Sequence, residues 1–218
     1  DIVIHAAALA DVGACVRNPE IEFKTNVAAT QNILESCQKN NIEKFVFVSS
    51  AAVYGLGNRS VFKETDPCFP VSNYALSKYW GEQQTRLYYE LYNLPTTSIR
   101  FFSVYGSPQI PKKGSHSWAV AIFGALAKKG KPITVFGDGN QIRDFTHVSD
   151  IAESVVLSTE KESTNGKFFN VGTGKPTKIN DIVEKIFQHV KPVPINYKPY
   201  PPGDPIGGYS DTTLMKKL

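Results

Sequence analysis

Short apolar runs alternate along the chain with longer stretches whose apolar residues recur at helical spacing. Ile2-Val3-Ile4-His5 reads as a strand, and residues 19–39 read as a helix opened by Asn18-Pro19. Phe45-Val46-Phe47-Val48 is continuously apolar, the pattern of a strand covered on both faces. Residues 73–92 form a long helical stretch ending near Asn93 and Pro95, and Thr96 to Phe102, rich in β-branched and aromatic residues, predicts the next strand. Beyond Gly106 the elements shorten. A loop at 107–116 leads to a helix at 117–129, a strand at Ile133 to Phe136, a helix at 149–160, a strand at Phe168 to Val171 and a helix at 179–189. Residues 191–208, crowded with proline and glycine, predict an extended segment.

Strands alternating with helices predict an α/β fold built on a parallel sheet with right-handed crossovers. Residues 1–106 read as the C-terminal half of a doubly wound, Rossmann-like nucleotide-binding domain whose first half is missing. Residues 107–218 read mainly as a smaller, mixed α/β substrate-binding lobe, with segments at about 131–171 returning to the sheet. The phosphate-binding Gly-x-Gly-x-x-Gly of such a domain follows its first strand. Gly55/Gly57, Gly137/Gly139 and Gly172/Gly174 are Gly-x-Gly pairs, and none has the third glycine. The chain opens on Asp1 and enters at once what reads as a core strand, and it stops at Leu218 inside a helical pattern, so it reads as an N-terminally truncated piece.

Composition narrows the function classes. With 41% hydrophobic and 20% charged residues over 218, an ordinary buried core is within reach. A net charge of +4, spread without a basic stripe, does not suit nucleic acid but suits an anionic small molecule. Cys15, Cys37 and Cys68 are odd in number and far apart, and His5, His116, His147 and His189 are isolated, so neither a disulfide framework nor a metal site is expected. A reducing cytoplasm is the simplest compartment. No apolar run is long enough for a membrane span. Asn58-Arg59-Ser60 is a glycosylation triplet of the kind that arises by chance.

One spacing carries chemistry. In Tyr74-Ala75-Leu76-Ser77-Lys78 a phenol and an ammonium stand four residues apart, on one face of a helix. A tyrosine titrating near pH 10 is a poor base at neutrality, and a lysine cation beside it favours the phenolate. Such pairs occur in many helices, so the context decides. Phe45 to Val48 runs into Ser49-Ser50, which places hydroxyls at the carboxyl edge of the sheet, where open α/β folds bind ligands. Ser50 could bond a reacting hydroxyl and pass its proton to Tyr74, or could merely end the strand. His147 reads as a packed strand-end residue rather than a catalyst.

Three segments, Ser49-Ser50-Ala51-Ala52-Val53-Tyr54-Gly55, Tyr74-x-x-x-Lys78 and Arg100-Phe101-Phe102-Ser103-Val104-Tyr105-Gly106, stand in a characteristic order. His5-Ala6-Ala7-Ala8, Thr25-Asn26-Val27, Phe136-Gly137-Asp138-Gly139 with Arg143-Asp144-Phe145, and Phe169-Asn170-Val171-Gly172 extend the pattern. Over nearly its whole length the chain resembles the extended short-chain dehydrogenases/reductases of the NAD-dependent epimerase/dehydratase family, most of all the UDP-galactose (UDP-glucose) 4-epimerases. The resemblance implies that Ser50, Tyr74 and Lys78 are catalytic, with Tyr74 as base and acid. It implies that Ala7, Asn26, Ser49, Tyr74, Lys78 and Phe101 bind NAD, and that Ser50, Tyr74, Ser103, Arg143 and Asp204 bind the nucleotide sugar. It also implies a UDP-hexose substrate and a homodimer formed through the helices at 19–39 and 73–92.

The implied reaction oxidises C4 to a transient 4-keto sugar and reduces it again on the other face. Related 4,6-dehydratases carry Thr-Asp-Glu where this chain has Ser50-Ala51-Ala52, which argues against dehydration, and related decarboxylases carry a glutamate at the Ala52 position. A keto-sugar reductase and a catalytically silent NAD or nucleotide-sugar binder are the alternatives. The chain departs from the epimerase pattern at Ala10, where many members have lysine, and at Pro201, where many have arginine; Gly208 falls where residue size is thought to limit the sugar.

Overall fold

A computed structural model describes residues 1–55, 60–111, 118–200 and 207–218; Asp204, Pro201, His116 and Asn58-Arg59 lie outside these residues. In chain order the elements begin with β1 (Ile2–His5), α1 (Val12–Arg17), α2 (Pro19–Glu22), a π-helical turn at Phe23–Ala28, α3 (Ala29–Lys39) and β2 (Lys44–Ser50). A 3-10 turn at Ala51–Tyr54, β3 (Val61–Phe62), α4 (Asn73–Tyr92), β4 (Thr96–Phe101), β5 (Ser103–Tyr105), α5 (Ala119–Lys128) and β6 (Ile133–Phe136) follow. The remainder comprises β7 (Ile142–Arg143), β8 (Phe145–His147), α6 (Val148–Glu160), β9 (Lys167–Val171), β10 (Thr177–Lys178), α7 (Ile179–Phe187), β11 (Ile195–Lys198), β12 (Tyr209–Ser210) and α8 (Thr213–Lys217).

The principal sheet has the order β1-β2-β4-β9, with every neighbouring pair parallel. Strand alternation assigns the faces. Phe45 and Phe47 of β2 pack with Leu34 and Cys37 of α3 and Tyr88 of α4, whereas Val46 packs with Ile151 and Val155 of α6 on the other side. Helices therefore cover both faces, as the continuous apolar run in β2 requires. β1 differs from its expected place in the core: among the described residues it pairs only with β2, and Ile2 and Ile4 are about half exposed while His5 is buried. Of the segment near 131–171, α6 and β9 pack into this sheet, but β6 pairs with β11 in a separate two-stranded sheet. Ile133 and Val135 of β6 form that second core with Phe123 and Ala127 of α5 and Ile179 and Val183 of α7.

α4 determines where the chemistry lies. Ser72 accepts a hydrogen bond from the Ala75 amide at 3.2 Å and caps the helix start, and Asn93 ends it in the left-handed region at φ 55. Gly81 sits against the Phe47 ring, where any Cβ would collide. One residue further on, Glu82 forms a buried ion pair with Arg100 of β4, Nε to Oε1 at 2.9 Å and Nη2 to Oε2 at 2.7 Å. Arg100 also donates to the Tyr54 hydroxyl at 2.9 Å, Ser49 donates to Glu82 at 2.5 Å, and Tyr54 donates to Asn170 of β9 at 2.7 Å. Both charged side chains are about 2% to 3% exposed.

Removing one member of such a pair strands the other in a low-dielectric interior. We expect Glu82→Gln to lower the unfolding free energy in denaturant titrations by about 3 kcal/mol, and the double variant Arg100→Met/Glu82→Leu to recover much of that loss. A Glu82→Gln variant as stable as the parent would show that the pair does not hold α4 in place.

Candidate active site

A cavity of about 800 Å³ opens between the carboxyl edge of the principal sheet and the second core. Ser50, Tyr74, Phe101, Ser103 and Arg143, all singled out in the sequence, line it, together with Ala51, Ala52, Gln109, Gln141, Lys198 and Gly208. Ser50 ends β2 and lies in register with Phe101 at the end of β4. Its hydroxyl accepts from the Ala52 amide at 3.2 Å, and Tyr74, in the first turn of α4, lines the cavity with it.

Lys78, one turn on, is 4% exposed. Its ammonium donates to the Val48 carbonyl at 2.7 Å and lies 5.1 Å from the centre of the Phe47 ring and 5.9 Å from that of Tyr74. Burial pushes its pKa down to about 8, with Glu82, Cys15 and Glu22 opposing that fall. Burial likewise holds the Tyr74 phenol above its ordinary value, and the Ser50 side chain offsets part of the rise. The Tyr74–Lys78 spacing predicts a phenol pKa lowered by the ammonium. In the structure desolvation dominates both groups, and the Tyr74 phenol stays above its ordinary value.

The remaining sites divide. Ser49 borders the cavity, but strand alternation turns its hydroxyl toward Glu82 on the α4 face. Asn26 is buried, and its amide oxygen accepts from the Leu9 amide at 2.7 Å while its nitrogen donates to Leu9 O at 3.1 Å. It thereby pins the loop that leaves β1, the loop on which Ala7 is exposed. Ser103 begins β5, held by its amide to the Asp144 carbonyl at 2.9 Å. His147 ends β8 and packs edge-on against Tyr105 with ring centres 5.4 Å apart, but it is exposed, and its Nδ1 accepts from the Ser149 amide at 3.3 Å to cap α6.

Some residues escaped sequence reading. Lys198, on β11, adds a cation to the cavity wall. It falls in the proline-rich stretch that reads as an extended segment, with no signal of a ligand contact. Asp144 is wholly buried and accepts hydrogen bonds from Thr173, Gly174 and Ser210, including the Thr173 amide at 2.8 Å and the Ser210 hydroxyl at 2.6 Å. Period-two alternation was the available signal: with Arg143 on the cavity, Asp144 has to face away.

The model of the NAD dependent epimerase/dehydratase family matches residues 1–172. The chain belongs to this family. It is 39% identical over 187 residues to a Methanocaldococcus jannaschii protein provisionally named a UDP-glucose 4-epimerase, covering 85% of this chain and 60% of that one. The chain thus spans about three-fifths of that relative's length. The UDP-N-acetylglucosamine 4-epimerase of Methanobrevibacter ruminantium M1, solved with UDP-N-acetylmuramic acid, superposes with a TM-score of 0.93 at 32% identity, over 100% of this chain and 69% of that one. The Bacillus cereus UDP-glucuronic acid 4-epimerase, solved with UDP-glucuronic acid and NAD, superposes at 0.92 with 29% identity, over 100% and 68%.

The site's residues fit the nicotinamide end of NAD. Lys78 is a buried cation with no carboxylate within ion-pair distance among the described residues, and its carbonyl contact leaves ammonium protons for ribose hydroxyls. Its ordinary pKa is 10.5 and its folded value about 8, so across that interval the unfolded chain holds more protons and stability rises with pH. We expect the stability of the parent relative to Lys78→Met to grow by a few kcal/mol between about pH 8 and 10.5 in denaturant titrations at stepped pH. A constant difference would place the titration on another group.

Proposed function

We propose that the protein carrying this chain is a NAD-dependent epimerase that inverts C4 of a UDP-hexose. NAD, when bound, supplies the reversible oxidation of the sugar carbon. The chain's own residues do the rest. Tyr74 takes the proton of the 4-hydroxyl and later returns it, with Ser50 bridging the hydroxyl and the phenol. Lys78 holds the nicotinamide ribose and keeps a positive charge one turn from Tyr74. Arg143 forks onto the diphosphate oxygens, with Ser103 and Asp204 completing the grip on the nucleotide.

The observation that carries this reading is the chemistry of the cavity wall. Among the described residues that line it there is no carboxylate, and the charged ones are Arg143 and Lys198. Ala51 and Ala52 stand beside Ser50, where elimination of water would need an acid and a base. A site with one hydroxyl–phenol pair and cations farther out suits proton transfer at a single carbinol on an anionic substrate.

α2, the π turn and α4 also present exposed Ile21, Phe23, Leu76, Trp80, Leu87 and Leu91. The four on α4 fall on one helical face. This apolar surface suits a second copy of the protein, which makes a homodimer the assembly we infer. Among the described residues no helix is long and apolar enough to cross a membrane, and Cys15, Cys37 and Cys68 are free thiols, which suits a cytoplasmic setting.

A panel of UDP-sugars with the products resolved by chromatography tests the activity. We expect interconversion of a C4-epimeric pair with no net change in NAD absorbance, and Tyr74→Phe should slow turnover by about 10²–10⁴-fold while substrate affinity stays near the parent's. Near-full activity in Tyr74→Phe would overturn the role given to the phenol. Trp80→Glu should shift the protein toward monomer in sedimentation velocity; an unchanged sedimentation coefficient would move the interface elsewhere.

A further inference from the structure

We propose that Lys198 is a substrate-binding residue of this site: its ammonium meets the diphosphate of the nucleotide sugar from β11, on the wall that also carries Arg143. The inference rests on the reading of the ligand as a sugar joined to a nucleoside diphosphate, and it does not require the C4 chemistry.

Strand register assigns the lysine its side. β6 and β11 run parallel, with Thr134 opposite Asn196, Val135 opposite Tyr197 and Phe136 opposite Lys198. Residues paired across neighbouring strands point to the same face, and successive residues alternate. Ile133 and Val135 are wholly buried in the second core, against which Ile195 packs, and the Tyr197 hydroxyl reaches Asn180 of α7 at 3.5 Å. Thr134, Phe136 and Lys198 therefore share the other face, and all three line the cavity. The Gly137 amide donates to the Lys198 carbonyl at 2.7 Å and closes the strand pair at that point.

Arg143 comes to the same wall from β7. Gln141 Nε2 donates to the Phe136 carbonyl at 2.7 Å, so the approach to β7 is tied to the end of the β6–β11 pair. Lys198 is exposed, and its ammonium makes no hydrogen bond or ion pair among the described residues. Two cations on one cavity, with no carboxylate among its described lining residues, repel each other and favour an anion that bears more than one charge. A diphosphate is such an anion. The guanidinium forks onto its oxygens, and the ammonium adds a point charge on a flexible stem.

A carboxylate on the sugar is the other anionic group that a lysine could meet, and position decides between them. A C6 carboxyl is two bonds from C4, beside the hydroxyl that Ser50 and Tyr74 serve, and the residues that follow Ser50 on the cavity wall are the neutral Ala51 and Ala52. The diphosphate hangs from C1, across the ring from C4. Lys198 belongs to the second sheet and keeps company with Arg143, which fits the C1 side.

Calorimetric titration with UDP, uridine, UDP-glucose and UDP-glucuronate tests the assignment. Lys198→Met keeps the stem and removes the charge, and Lys198→Arg keeps the charge; the position is exposed, so both variants should fold. We expect Lys198→Met to weaken UDP and UDP-glucose by about tenfold at low salt, with the loss shrinking as salt is added and uridine binding as in the parent. KM should rise by a similar factor with kcat near the parent's, and Lys198→Arg should restore most of the affinity. Unchanged UDP affinity in Lys198→Met overturns the proposal. An equal loss for uridine assigns the effect to the base or to the shape of the wall, and a loss confined to UDP-glucuronate moves the lysine to a sugar carboxylate; either result overturns it as well. Parent-like UDP binding by Lys198→Met in an active epimerase defeats this inference alone, whereas a charge-dependent loss in a protein that epimerises no UDP-sugar supports it and counts against the C4 reaction.

Discussion

The buried Arg100–Glu82 pair fixes the geometry on which the site depends. A helix lying on a sheet can slide and roll at little cost if only apolar side chains meet. Here a bidentate ion pair, two Arg100–Glu82 bonds of 2.7 and 2.9 Å, sets the rotation of α4 about its axis. Gly81 sets how near the helix approaches. Tyr74, Lys78 and Glu82 are spaced at four-residue steps, so fixing the last also aims the first two at the end of β2. Ser49, Tyr54 and Cys68 complete the hydrogen bonding around the pair and spread its desolvation over several elements.

Burial acts against ionisation at both key groups. The phenol is held protonated and the ammonium is held close to losing its proton. On the proposed reading, positive charge brought to this corner by a bound dinucleotide would lower the proton affinity of the phenol.

The sequence made the principal sheet and α4 legible because their signals are local and strong. The apolar run at Phe45 to Val48, the helical stretch at 73–92 and its stop near Asn93 and Pro95 each have a physical reading independent of the rest. The lobe was less legible. β7, β10 and β12 are two residues long, and their pairing comes from tertiary contacts such as Arg143 opposite Thr177, which no periodicity announces. Ser50, Tyr74, Ser103 and Arg143 could be placed from motif spacing. Lys198 could not, because a lone lysine in a proline-rich stretch shows no facing until β11 pairs with β6. The raised pKa of Tyr74 is hidden from the sequence for a related reason, since spacing shows who is adjacent but not how dry the neighbourhood is.

Asp144 carries a consequence for the order of assembly. Its carboxylate is satisfied by Thr173, Gly174 and Ser210, and the last of these arrives 66 residues later. During synthesis the carboxylate emerges long before Ser210, and water must serve it until then. The strand pairing of β12 with β3 joins segments still farther apart. Closure of the cavity wall around Arg143 is therefore a late event, completed only after Ser210 has left the ribosome, and a nascent chain stalled before that point exposes a half-built lobe to chaperones and proteases.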